Sequence, residues 1–289
     1  MRLVEINADA DLPALTAGER WAREQLALLR DAGYMPRATA RFLAASQRRA
    51  NEQRAARPAT ARRMRAWIAA GAAAWVALAL ARREPFAGAT RSFVVWWALT
   101  WLMLDWHIGM LETEAGEPRN LGPADACTLL RVWLVPAAAA RPQPWICAAG
   151  LASDGLDGVL ARRGAPTRAG RDLEGLADAT FAAAALRGAV RNGWLGRGAA
   201  RAELGRIALG VGYSAAIWFG RARAPEAHVL HAARAATPLR AAGLVAAGLE
   251  RRRVADALVI GGALCSALAT AAAVRPPARS RRARSRSCA

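Results

Sequence analysis

Apolar stretches near residues 66–81, 93–111, 126–140, 144–160, 173–190, 207–220, 236–249 and 255–274 alternate with arginine-bearing connections. This alternation is the pattern of an all-α, polytopic membrane helix bundle. Several stretches fall short of the roughly 20 residues that span a bilayer comfortably. Each short stretch therefore needs snorkelling arginines at its ends or burial against its neighbours, and the one holding Arg240 is the weakest. The apolar residues are largely alanine, so a 54% hydrophobic content gives a mean hydropathy of only +0.10. All 41 basic residues are arginine, and the net charge is +19. With so many apolar segments, that charge belongs to cytoplasmic membrane flanks and anionic headgroups rather than to nucleic acid. Cys127, Cys147, Cys265 and Cys288 have no C-x2-C spacing, so neither a zinc site nor a disulfide framework is expected, and a reducing compartment fits.

Four regions follow from this pattern. Residues 1–63 are polar and helical in periodicity, a cytoplasmic segment in which Thr16 and Glu19 make a capping box, Gly33 marks a stop, and a second helix runs from about 38 to 54. Residues 64–120 hold an extra pair of transmembrane helices, residues 121–274 six core helices, and residues 275–289 a basic tail too poor in apolar residues to fold. Eight crossings place both termini, the loop at 161–171 and the stretch at 221–234 on one side. Their arginines make that side cytoplasmic, although the opposite loops at 187–201 and 250–253 also carry arginine. Trp67, Trp96, Trp97, Trp106, Trp133, Trp145 and Trp218 cluster toward run ends or in the second run, as interfacial anchors would, with ordinary packing explaining some of them. Asp105 and His107 have no partner visible in the sequence.

The chemistry is concentrated between Asp154 and Asp178, in the pattern D-x2-D-G-x2-A-R, seven residues, then G-x3-E-x3-D. Asp154 and Asp157 are three apart, and Glu174 and Asp178 four apart, so each pair projects from one helix face. Four converging acids at a membrane boundary would repel one another unless cations neutralised them. Hard oxygen donors favour Mg²⁺ or Mn²⁺. Gly158 allows a close backbone approach, Ala161 keeps the same face slim, and Arg162 offers a planar fork to phosphate oxygens. Asp172 lies two residues before Glu174, turned about 200° from it on a helix, which leaves Glu174 as the ligand in register.

Asp154, Asp157, Gly158, Ala161, Arg162, Gly170 and Asp178 make this stretch resemble the CDP-alcohol phosphotransferase family, whose signature is D-x2-D-G-x2-A-R-x8-G-x3-D-x3-D. The chain departs from it in two places: the first gap is one residue short, and Glu174 stands where the family has an aspartate. Upstream, PADACTLLRVWLVP at 123–136 is similar to the start of the family's first core helix and retains Thr128 and Arg131, while Asp125 and Cys127 replace the usual residues. The resemblance covers roughly residues 123–274.

It implies a metal-dependent enzyme of phospholipid biosynthesis, working as a homodimer in a bacterial inner membrane with its site toward the cytoplasm. A phosphatidyl group would pass from CDP-diacylglycerol, or a related CDP-alcohol, to a small alcohol, releasing CMP. Asp154, Asp157, Glu174 and Asp178 would hold two ions, and Asp178 would also take the acceptor's proton. Thr128, Arg131, Gly158, Ala161, Arg162 and Gly170 would border the nucleotide. Thr167 and Arg168 would meet a lipid or acceptor phosphate, or stand as solvated loop residues. A catalytically impaired scaffold of the same fold and a small-solute transporter remain open alternatives.

Overall fold

A computed structural model describes residues 15–113, 115–164, 167–222 and 225–274, apart from the side chains at 161, 162, 171 and 172. The elements are α1 (Ala17–Asp31), α2 (Pro36–Ala56), α3 (Pro58–Leu80), α4 (Phe86–Trp106), a 3-10 turn (Ile108–Met110), α5 (Pro123–Ala140), α6 (Pro144–Arg163), α7 (Arg168–Arg191), α8 (Arg197–Arg221), α9 (Ala227–Arg234), α10 (Thr237–Gly248) and α11 (Arg252–Val274). Among the described residues the chain is all-helical, with one isolated bridge between Glu112 and Pro118.

The helix starts are written locally. Proline occupies the first turn of α2, α3, α5, α6 and α10, where its missing N–H is not needed and its φ suits the helix. Thr16 and Glu19 form the expected reciprocal cap on α1, with Glu19 N–H donating to Thr16 Oγ1 at 3.2 Å and Thr16 N–H to Glu19 Oε2 at 2.9 Å. Gly33, at φ +60, follows the end of α1 as expected of a stop.

The apolar stretches of the sequence become helices, with one difference in the last third. The stretch near 236–249 forms α10 within a residue of those bounds, but the expected connection at 221–234 contains the 8-residue α9. Ala235 and Ala236 break the two apart. Pro238, in the first turn of α10, cannot donate to a continuing helix and would clash with the preceding turn. Residues 275–289, expected to form an unstructured tail, lie outside the described residues, as does Cys288.

Three of the tryptophans are tied to neighbouring helices, as ordinary packing would have them. Trp96 Nε1 donates to Val132 O at 2.7 Å and Trp97 Nε1 to Ile68 O at 3.2 Å, so these rings tie α4 to α5 and α3. Trp106 donates to Gln47 of α2 at 2.6 Å. A buried indole needs a partner for its N–H, and a helix carbonyl or Gln47 supplies it here. Asp105 also acquires a partner, Arg54 of α2. His107 Nδ1 lies 2.7 Å from Met103 O.

Small residues decide how closely α5, α6 and α7 pack. A Cβ on Gly188 of α7 would lie 2.1 Å from Ala138 O of α5, and one on Gly150 of α6 would lie 2.4 Å from the Phe181 ring of α7. Backbone cannot retreat as a flexible side chain can. Gly188→Val is therefore expected to force α5 and α7 apart at a cost of about 1–3 kcal/mol or more, read as a lowered thermal midpoint in detergent. An unchanged midpoint would contradict the close α5–α7 contact.

Around this packed centre, large apolar side chains face outward: Val94, Val95, Leu99 and Leu102 on α4, Leu209 on α8, Leu264 and Leu268 on α11. By length and composition, α11 is the one helix among the described residues apolar enough to cross a membrane, with a mean hydropathy of 2.1 over its best window.

Candidate metal and phosphate site

α5 packs against both α6 and α7, and the acids of the sequence motif meet beside it. Asp154 and Asp157 lie on α6, Glu174 and Asp178 on α7, and Arg131 enters from α5. Arg131 is only 1% exposed. A guanidinium so far from water requires anionic neighbours, and it has three. Arg131 Nη2 donates to Asp157 Oδ2 at 2.5 Å, Nε stands 2.8 Å from Asp178 Oδ1, and Nη1 lies 3.9 Å from Asp154 Oδ1. Ser153 Oγ is 3.5 Å from Nη1, and Thr128 Oγ1 donates to Asp157 Oδ2 at 3.4 Å.

The four acids do not form one equivalent set. Asp154, Glu174 and Asp178 each bring a carboxylate oxygen within 4.8 Å of the others, whereas Asp157 stands outside this trio. Three residues of helix turn Asp157 about 60° round α6 from Asp154, toward α5, where Arg131 and Thr128 engage it and leave it 6% exposed. The contact between Arg131 Nε and Asp178 Oδ1 is an ion pair without hydrogen-bond alignment, so Asp178 Oδ1 is a buried oxygen with no hydrogen-bond donor. Glu174 has a more distant neighbour, Arg234 Nη1 of α9 at 3.7 Å.

Charge and chemistry fit a cation. Among the described side chains, four carboxylates stand against two guanidiniums, and carboxylates gathered at a partly buried locus favour a neutralising cation. A divalent ion would supply positive charge here, and the three carboxylate oxygens are the hard ligands that Mg²⁺ or Mn²⁺ accepts.

The remaining sequence candidates are distributed differently. Gly158 is half-buried on α6 beside Asp157. Ala161 and Arg162 fall in the last turn of α6, and their side chains lie outside the described residues. Gly170 is needed for space: its added Cβ would stand 2.5 Å from Asp125 Oδ1. Thr167 does not present its hydroxyl to solvent. It is 1% exposed, donates to Asp125 Oδ1 at 2.6 Å and accepts Gly170 N–H at 2.9 Å, capping α7. Arg168 is likewise not a solvated loop cation or an open phosphate contact. It is 4% exposed, pairs with Glu112, donates to Thr16 Oγ1 at 2.8 Å and lies 3.4 Å from Glu19 Oε1. The physical reason is that Thr16 and Glu19 at the start of α1, together with Glu112 before α5, close over the start of α7.

Three residues overlooked by the sequence reading take part here. Asp125 accepts Gly122 N–H at 2.7 Å and ties the start of α5 to that of α7; its position three residues after Gly122, at a helix start, was the legible signal. Arg234 and Ser153 had none, because their proximity arises only from packing. A second buried ionic group sits elsewhere, where Glu203 of α8 meets Arg206 at 2.6 Å and Arg240 of α10 at 3.1 Å, so Arg240 is held by a partner rather than by snorkelling.

On the far side of the α5–α7 contact, a cavity of about 350 Å³ opens toward α4, lined by Leu99, Met103, Leu129, Val132, Leu173 and others. Thr128 belongs to its wall as well as to the acid cluster.

Comparison with protein-family models, with curated proteins and with solved structures finds no match to this chain.

Proposed function

We propose that the chain is a polytopic membrane enzyme that transfers a phosphatidyl or related phosphoalcohol group from a CDP-linked lipid to a small alcohol, releasing CMP, as the resemblance of its motif to CDP-alcohol phosphotransferases implies. The observation that carries this reading is the convergence of Asp154, Glu174 and Asp178 within 4.8 Å, with Arg131 beside them, on three packed helices. Outward-facing apolar side chains on α4, α8 and α11 support placement in a bilayer. The arginine distribution favours a bacterial inner membrane with the site toward the cytoplasm. By the same resemblance the enzyme works as a homodimer and takes no nucleic acid.

In this reading Asp154, Glu174 and Asp178 would hold Mg²⁺ or Mn²⁺, which would draw the diphosphate oxygens to the acids and polarise the phosphorus. The acceptor's hydroxyl oxygen bonds to the phosphorus attached to the lipid as the bond from that phosphorus to the CMP oxygen breaks, in line. Asp178, whose side chain is 35% exposed, takes the hydroxyl proton. CMP leaves with the electron pair. Arg131 holds Asp157 and Asp178 in place without needing to touch the substrate.

Purified protein in CDP-diacylglycerol micelles with Mg²⁺ and a panel of alcohols is expected to release CMP only when metal and one alcohol are both present. Absence of release under every combination would remove the enzyme reading. A guanidinium already lodged among the acids is the observation that favours the second reading, a scaffold that binds CDP-lipid without turnover; binding of the labelled donor without CMP release would support it.

Glu174 separates the two. Glu174→Asp keeps charge and shortens reach, so CMP release is expected to stay within roughly tenfold, about 1.4 kcal/mol in the barrier. Glu174→Gln keeps reach and removes charge, and is expected to be far worse. Parent-like release by the Gln variant would show that Glu174 is not a ligand.

A further inference from the structure

The helix α4, which precedes the stretch at 123–274, meets the rest of the bundle at a gap. α5 packs against both α4 and α7, while α4 and α7 have no comparable contact with each other. The cavity of about 350 Å³ lies where these three helices face one another, with Trp96, Thr100 and Met103 from α4, Val132 from α5, and Leu173 and Ala177 from α7 in its wall. We infer that this slot holds one hydrocarbon chain of a bilayer phospholipid other than the substrate, a chain that fills the space between α4 and α7. The inference rests on the bilayer placement proposed above and not on the transfer chemistry.

The wall offers a ligand no free hydrogen-bonding group. Trp96 Nε1 donates to Val132 O at 2.7 Å, Thr100 Oγ1 to Trp96 O at 2.9 Å, Thr180 Oγ1 to Leu176 O at 2.7 Å and Thr128 Oγ1 to Asp157 Oδ2 at 3.4 Å, while Asp125 accepts from Thr167 Oγ1 and from Gly122 N–H. Water here would lack the polar partners that hold a buried water in place. An apolar occupant suits the slot. At about 30 Å³ a carbon, close to the share of one water molecule in the liquid, the volume takes on the order of ten methylenes. That is the length of part of one acyl chain.

The mouth opens onto apolar surface. Leu104, Leu121 and Leu129 are buried in the wall, whereas Leu99 of α4 and Leu176 of α7 line the slot and are exposed. Val95 and Leu102, on the same face of α4 as Leu99, extend the exposed apolar surface beside it. A chain enters from surrounding hydrocarbon along these side chains and leaves its headgroup outside. The acids face elsewhere, since Glu174 and Asp178 follow Leu173 and Ala177 by one residue each and are turned about 100° from them on α7. A donor with its diphosphate at the acids would have to carry a chain around a helix to reach the slot, so the occupant is a separate lipid.

The test uses full-length protein in phosphatidylcholine vesicles containing a trace of phosphatidylcholine with a diazirine on one acyl chain, irradiated and mapped by peptide mass spectrometry. Protein that fails to float with the vesicles defeats the bilayer placement and this inference together. In protein that floats, adducts are expected about fivefold more often at 96–104 and 173–180 than at Leu264 and Leu268, which are exposed on α11. Equal labelling would overturn the inference alone, because the slot would then be ordinary lipid-facing surface. Thr100→Phe fills the slot and is expected to bring its labelling down to the α11 level; if gel filtration shows that this variant does not fold, Leu99→Trp at the mouth decides. Parent-like labelling in the folded variant would contradict a chain inside the slot. CDP-diacylglycerol in excess over the probe is expected to leave labelling within about twofold, and a larger loss would show the donor's own chain there and overturn the separate lipid. Since CMP release is not read, an inactive protein with enriched labelling would remove the enzyme reading and leave the lipid site standing.

Discussion

Asp178→Asn is expected to lower metal-dependent CMP release by about a thousandfold, roughly 4 kcal/mol in the barrier, while some donor binding survives. The variant keeps the shape of the side chain and removes both its charge and its capacity to accept the acceptor's proton. Of the trio, Asp178 is the acid with a buried oxygen that receives no hydrogen bond, next to a guanidinium that contacts it without alignment. The Asp178 side chain, 35% exposed, can be reached from outside the cluster in a way that Asp157, 8% exposed and held by Arg131 and Thr128, cannot. The check is single-turnover CMP release alongside binding of radiolabelled CDP-diacylglycerol. If turnover falls only as far as binding does, Asp178 is a ligand without a base role. If neither changes, it has no part in the site.

Arg168→Met is expected to destabilise the protein by about 3–5 kcal/mol, the usual consequence of removing one partner of a buried ion pair, and to lower its thermal midpoint by roughly 10 °C. Arg168 joins the first turn of α7 to Thr16 and Glu19 at the start of α1 and to Glu112 before α5. Loss of the guanidinium leaves Glu112, 5% exposed, with Arg57 at 3.9 Å as its remaining ionic neighbour. Limited proteolysis should then cleave near α1 sooner than in the parent. A phosphate-binding Arg168 would behave differently: the variant would keep the parent's midpoint and protease resistance, and would instead raise the donor concentration needed for half-maximal CMP release.

Much of the architecture was legible because it is written in local signals. The Thr16–Glu19 cap, the prolines at helix starts and the alanine-rich apolar stretches each act over a few residues, and helices formed where they stand. The limit of such signals shows at 227–248. Apolar content placed a helix near 236–249, where α10 forms, but gave no sign of α9 in the connection before it, which Pro238 in the first turn of α10 keeps separate. The tryptophans show the same limit, since an indole at the end of an apolar run is equally suited to an interface and to a neighbouring helix carbonyl, and Trp96 and Trp97 took the carbonyl.

The sequence by itself determined an all-helical chain and the two pairs of acids, because helical spacing places Asp154 near Asp157 and Glu174 near Asp178 whatever surrounds them. Tertiary structure alone decided which acids meet. Close packing of α5, α6 and α7 at Gly150 and Gly188 brings Asp154 to Glu174 and Asp178, and inserts Arg131 where periodicity cannot foresee a charge. It also turned Arg168 from a loop cation into a buried tie, since Thr16 lies 152 residues from it in the chain. Local spacing fixes which face of a helix a side chain occupies; only the packing of helices distant in sequence decides what that face will meet.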